Sequence, residues 1–177
     1  RNGYTHMGIS PTGAADNISF RISNLLLGND INKPGIEITL FGGSYYFNKD
    51  AIIALSGSVF TSAIDGDIIP FFKPIVVKFG QTLSIASTTN GARCYLAIKG
   101  GFQVPYILNS SSTHLLSNTG GFNGRNLIKN DEIICASSDD TGINNNIKFN
   151  IDDDRSILRV TKGLQYELFD DANKKLF

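Results

Sequence analysis

Tryptophan is absent from these 177 residues, methionine occurs once and cysteine twice. Charge is scarce too: 18% of residues carry it, and 16 basic side chains meet 16 acidic ones. A net charge of zero leaves no electrostatic footprint for nucleic acid or for an anionic membrane surface, so neither is expected as a partner. Lys174 and Lys175 are offset by Asp170 and Asp171 and read as a solvated helix face. Cys94 and Cys135 lack Cys-x-x-Cys spacing, which excludes a zinc site or a disulfide scaffold built on them. Both sit in apolar runs and read as small core residues, in a protein kept in a reducing compartment, hence cytoplasmic. No apolar run approaches the ~18 residues of a transmembrane helix. The acidic run Asp152-Asp153-Asp154 lacks the glycine and terminal glutamate of a calcium loop, and no metal is expected.

What is present is enough for a core. Apolar residues make up 41% of the chain, including 12 Phe and 6 Tyr, and the length suits one domain with part of a second. The chain opens at Arg1 without a charged-then-apolar leader and stops at Phe177 inside a helix-like stretch, so both ends read as cut.

Periodicity assigns the elements. Ile18, Ile22, Leu25 and Leu26 recur at helical spacing and predict a helix over residues 14–27, stopped by Gly28-Asn29. Short strands are predicted from residue 36 onward: 36–41, 44–47, 51–55, 60–64, 75–79, 82–86, 94–99 and 131–136. In the first of these, Ile36, Ile38 and Leu40 share one face. Asp65-Gly66 between apolar runs is a hairpin signal. Such spacing predicts an all-β fold with few helices, an antiparallel β-barrel whose open end one helix could plug. A long polar, Gly-rich excursion occupies residues 108–125, and excursions of that length often serve function. The first domain is placed at 1–140, a polar linker at 141–156, and a truncated second domain at 157–177, with a strand at 157–161 and a helix from Asp170.

Two segments offer chemistry. Residues 10–17 enter the helix through Ser10, Pro11, Thr12, Gly13, Ala14 and Asp16. Unpaired helix N–H groups there suit a carboxylate or amide oxygen, and Asp16 could accept from a substrate amide. The structural alternative has Thr12 capping the helix while Asp16 complements its dipole. The second segment is Ser110-Ser111-Ser112-Thr113-His114, where hydroxyls could bind substrate oxygens and His114 could carry a proton; a polar surface loop is the alternative. No Ser-x-Gly elbow or paired acid activates a serine, so catalytic residues stay unassigned. His6 reads as a surface or barrel-mouth residue. Gly120-Gly121-x-x-Gly124 lacks the Gly-Lys-Ser/Thr ending of a phosphate loop, so ATP is not expected in this chain.

Ordered motifs carry a resemblance. Arg1-x-Gly3-Tyr4-x3-Gly8-Ile9-Ser10-Pro11-x-Gly13-Ala14-x-Asp16 comes first, then Glu37-Ile38-Thr39-Leu40-x-Gly42-Gly43. Ala54-Leu55-Ser56-Gly57, Gly80-Gln81-Thr82-Leu83 and Tyr95-Leu96-Ala97-Ile98-x-Gly100-Gly101 follow. Ser112-Thr113, Gly120-Gly121-x3-Arg125 and Leu158-Arg159-Val160-x2-Gly163-x-Gln165 complete the series. Together they resemble the 5-oxoprolinase C-subunit, KipA-like or allophanate hydrolase subunit 2 family. The resemblance implies cyclophilin-like β-barrels and substrate-binding roles for Ser10, Gly13, Ala14, Asp16, Ser112 and Thr113. It implies no cofactor in this chain, with ATP handled by a partner protein. The implied partners are a smaller KipI-like B-subunit, an A-subunit and a small amide substrate. The implied activity is ATP-dependent opening of 5-oxoproline to glutamate. A KipA-like regulatory protein acting on a kinase-inhibitor partner, and an allophanate hydrolase or urea carboxyltransferase-type subunit, are the alternatives. Two positions depart from the pattern: Val59 replaces a customary acidic residue and Ser111 a customary Arg, which would bind a carboxylate bidentately.

Overall fold

The structure, a computed structural model, describes residues 3–136, 143, 157 and 160–176. The chain divides into two units, Arg1–Ile147 and Lys148–Phe177. In the first, helix α1 (Asn17–Leu26) precedes strands β1 (Ile36–Thr39), β2 (Ser44–Tyr46), β3 (Ala51–Gly57), β4 (Phe60–Ile64), β5 (Asp67–Ile68), β6 (Ile75–Val77), β7 (Thr82–Thr88) and β8 (Arg93–Ile98). Their ladders are antiparallel and form two four-stranded sheets, β1-β8-β3-β6 and β2-β7-β4-β5. The expected all-β character with few helices holds.

Alternation along the strands explains where the core sits. Phe60, Ser62 and Ile64 of β4 turn inward, as do Leu83 and Ile85 of β7. Phe60, Ile64, Leu83 and Ile85 meet Ile53, Leu55, Cys94, Leu96 and Ile98 from the first sheet in one cluster. Cys94 is wholly buried there, and burial pushes its thiol pKa up to about 12, which fits the expected core role. Cys135 is half-buried against the same cluster.

β3 and β8 are buried on both faces, because α1 packs on them from outside the core. The helix thus covers a sheet face, rather than plugging an open barrel end as the sequence suggests. Its contact surface is small and polar: Ser19, Ser23 and Asn24 are buried beside Ile22 and Leu26, while Ile18 is 71% exposed. Ser56 Oγ donates to the Ser19 carbonyl at 2.6 Å, so a serine contact joins Ile22 and Leu26 of the expected stripe on the buried face. Asn29 Nδ2 donates to Ile98 O at 2.8 Å and its Oδ1 accepts from Gly100 N at 2.9 Å, tying the helix exit to the end of β8.

The strand expected over 36–41 stops at Thr39, because Leu40 takes φ 60 and leaves the apolar face. The chain then changes sheets: Phe41 bridges Ser87, and Ile85 N donates to Gly43 O at 2.9 Å. Gly42 is required by proximity there, since a Cβ would stand 2.6 Å from the Ile85 carbonyl oxygen. The Asp65-Gly66 hairpin is as expected, with φ 50 and 98 at its two loop residues. The strand expected at 131–136 reduces to a bridge between Phe102 and Cys135, and that at 75–79 shortens to β6.

In the second unit a 3₁₀ turn (Tyr166–Leu168) precedes the single-turn helix α2 (Asp171–Lys174), capped by Asp170 through Asn173 N. Lys174 is not a free solvated charge: it pairs with Glu167 at 2.8 Å. The linker placed at 141–156 and the strand at 157–161 lie, apart from residues 143, 157, 160 and 161, outside the described residues. Among the described residues no helix is long and apolar enough to cross a membrane.

Candidate substrate-lining site

The two segments singled out in the sequence, about a hundred residues apart, meet in the fold. Ser10 Oγ lies 3.0 Å from His114 Nε2, and Thr12 Oγ1 lies 2.7 Å from Ser112 Oγ. Ser112 in turn lies 2.8 Å from Ser110 Oγ, which also accepts from Ser112 N. The result is a patch of hydroxyls from residues 10, 12, 110 and 112, with Ser10 at the exposed edge.

His114 is buried to 5% exposure, so the loop is not merely a polar surface feature. His114 Nδ1 lies 3.2 Å from the backbone N of Ser117 and 2.7 Å from its hydroxyl. Nε2 faces Ser10 Oγ, and the donor in that contact follows the tautomer of the ring. His114 is held at both ring nitrogens, by Ser117 and by Ser10, and so braces the two segments against each other. His6 lies in an exposed 3₁₀ turn (Thr5–Met7).

Asp16 is the N-cap of α1. Its Oδ1 accepts from Ile18 N at 3.1 Å and Ser19 N at 3.0 Å, and its Oδ2 from Ser19 Oγ at 2.5 Å. The capping role that sequence reasoning gave to Thr12 belongs to Asp16, while the Thr12 hydroxyl turns to Ser112. The helix N-terminus is thus filled by the chain's own carboxylate. Gly13 (φ 143) and the half-buried Ala14 lie between these two contacts and expose backbone.

Thr113 packs against Gly121, where a Cβ would fall 1.9 Å from Thr113 Oγ1 at a φ of 51. Glycine at 121 is therefore what lets the loop fold back on itself. Arg125 closes the excursion: its two guanidinium nitrogens each lie 2.7 Å from Asp131. That fork, with a further bond from Ile128 N, holds the Asp131 carboxyl down to about 2.

Sequence reasoning missed the anchor beneath the N-terminal turn. Tyr95 Oη accepts from Asp16 N at 2.8 Å and donates to Glu37 Oε2 at 2.9 Å. Glu37 Oε2 also accepts from Ala15 N at 2.8 Å, and its Oε1 from Arg93 at 2.5 Å. Burial, above all, raises the Tyr95 hydroxyl's pKa, so it stays protonated and able to donate. Strand alternation does put Glu37 and Thr39 off the core face, but the register Glu37↔Tyr95 and Thr39↔Arg93 is a tertiary fact.

A separate open cleft of about 540 Å³ is lined by Lys33, Phe102, Tyr106 and Ser111 among others. Ser111, one of the two departures from the family pattern, thus lines this cleft; Val59, the other, is exposed at the β3–β4 turn. Among the described residues no group of three or more His, Cys, Asp or Glu is placed to hold a metal.

Comparison with known proteins agrees with the motifs. The family model "Carboxyltransferase domain, subdomain A and B" matches residues 7–177. Urea amidolyase of Saccharomyces cerevisiae is 44% identical over 140 residues, 79% of this chain and 8% of that protein. The 5-oxoprolinase C-subunit of Escherichia coli is 35% identical over 178 aligned positions, 100% of this chain and 57% of that protein. Among solved structures, the Kluyveromyces lactis urea carboxylase superposes with a TM-score of 0.78 at 35% identity, covering 81% of this chain and 14% of that one. This chain belongs to the carboxyltransferase-domain family of subdomains A and B, as its resemblance to the 5-oxoprolinase C-subunit led one to expect.

Proposed function

We propose that this chain lines the substrate site of an ATP-dependent, multi-subunit enzyme that opens an amide bond, with 5-oxoproline as substrate and glutamate as product. The observation that carries the reading is the meeting of Ser10 and Thr12 with Ser112 and His114, on a chain alignable from end to end with a 5-oxoprolinase C-subunit. A lactam presents a carbonyl oxygen, an N–H and, in 5-oxoproline, a carboxylate. Ser10 and Thr12 present hydroxyls beside Ser112 to an incoming oxygen. The hydroxyls orient the amide, while activation of its oxygen by ATP falls to a partner protein. The smaller B-subunit is the first candidate partner, and the complex is expected in the cytoplasm.

The test is to express the reading frame that carries this chain together with its neighbouring subunits and measure glutamate released from 5-oxoproline with ATP. Release that depends on ATP and falls with Ser10→Ala supports the reading; a folded complex that releases none overturns it.

A second reading has its own support in the 44% identity to a urea amidolyase. Under it the same hydroxyls hold urea for carboxyl transfer. Urea has no carboxylate, and the Arg that would grip one is replaced here by Ser111. Allophanate formed from urea, bicarbonate and ATP, in place of glutamate from 5-oxoproline, would establish this alternative.

A further inference from the structure

We propose that Tyr95 and Glu37 are positioning residues for the reaction, acting through the backbone of the turn that carries Ser10 and Thr12. The inference rests on the reading of that turn as substrate-lining.

The geometry separates this pair from ordinary fold support. Two consecutive backbone N–H groups, of Ala15 and Asp16, are the last before the helix begins. Both donate to side chains, Glu37 Oε2 and Tyr95 Oη. The turn is therefore hung on two side chains of the first sheet instead of on a ladder. Those side chains are themselves fixed. Tyr95 has 0% of its surface exposed and meets Phe20 edge-on, with ring centres 6.0 Å apart. Its single hydroxyl satisfies Asp16 N and Glu37 at once. Glu37 is gripped from the far side by Arg93, which also donates to Thr39 Oγ1 at 2.8 Å.

From this anchor the chain runs back through Ala14 and Gly13 to Thr12 and Ser10, which reach residues 112 and 114 of the other segment. The turn is thus held at one end by the sheet and at the other by the hydroxyl patch. Loosening the sheet end lets Ser10 and Thr12 drift relative to a bound amide. Small misplacements of orienting groups are costly in rate, because the reacting geometry is tight. Tyr95→Phe keeps the ring, its burial and its contact with Phe20, and deletes only the hydroxyl that joins Asp16 N to Glu37.

Two readouts test this, made on the enzyme complex and on the chain. In Tyr95→Phe, amide hydrogen exchange at Ala15 and Asp16 should quicken about ten-fold or more, the scale of losing a bond tied to a charged partner. Exchange at Ala54 and Leu55 in the core strand should hold. The variant's turnover with saturating 5-oxoproline should fall by a similar factor, with KM changing less. Glu37→Gln, which retains an acceptor for Ala15 N but weakens the Arg93 grip, should show the same pattern in milder form. It serves as the second probe should Tyr95→Phe fold poorly. Unchanged exchange at residues 15 and 16 would overturn the proposed anchor. Quickened exchange with unchanged turnover would reduce the pair to fold support. If the wild-type complex turns over no amide, the functional reading fails instead, and the exchange result still judges the anchor.

Discussion

Asp16 shows how one side chain can be read two ways and how the two can be separated. Its carboxylate spends three bonds on the start of α1. Asp16→Ala should therefore cost about 1 kcal/mol of stability, by denaturant titration. Asp16→Asn preserves an acceptor at the cap and should recover most of that. If Asp16→Asn is as stable as the wild type yet loses turnover, the charge serves substrate as well as helix. Asp131 offers a test by pH. Its folded pKa is depressed to about 2, below an ordinary 3.8, by Arg125 and then by Ile128 N. The stabilisation it brings is complete above the unfolded value and fades as pH falls from about 4 toward 2. Asp131→Asn should flatten the acid limb of the stability curve over that window. An unchanged acid limb would mean that the fork does not hold the loop.

At the scale of elements, strand positions were legible, including the doubly covered β3 and β8, but the roles of residues on their outer faces were not. β4 and β7 alternate cleanly and were found; β8 is covered on both sides and its tyrosine reads like any core aromatic. The helix was found, and Ile22 and Leu26 are buried as its period implied, while Ile18 and Leu25 are not. Ile18 suits the period but stays outside, because the close approach of α1 to β3 favours Ser19 and Ser56. Leu40 fits an alternating strand, but a left-handed residue there turns the chain into the second sheet, and nothing local announces it. The candidate site was half legible: both polar segments stood out by composition, whereas their meeting and the Glu37–Tyr95 anchor depend on register. Gly42 marks the same corner. Gly42→Ala must push against the Ile85 carbonyl, and a loss of about 1 kcal/mol or more in stability is expected, the scale of overpacking a tight site. A melting temperature equal to the wild type's would mean that the corner yields freely.

For the whole molecule, family membership and the convergence of the two polar segments point the same way. The family supplies relatives that bear the names urea amidolyase, urea carboxylase and 5-oxoprolinase. The fold supplies a patch of hydroxyls in which Ser10 meets His114 and Thr12 meets Ser112. Such a patch suits orienting an amide, the role proposed for it. The chain spans 57% of the length of the E. coli relative and 8% of the urea amidolyase it matches. The decisive measurement is ATP consumed and glutamate formed from 5-oxoproline by the assembled complex, wild type against Ser10→Ala. Coupled ATP use and glutamate release are expected in the wild type, with a loss of about ten-fold or more when one orienting donor is removed. A folded complex with no glutamate release, or one indifferent to Ser10→Ala, would contradict a substrate-lining role for this chain.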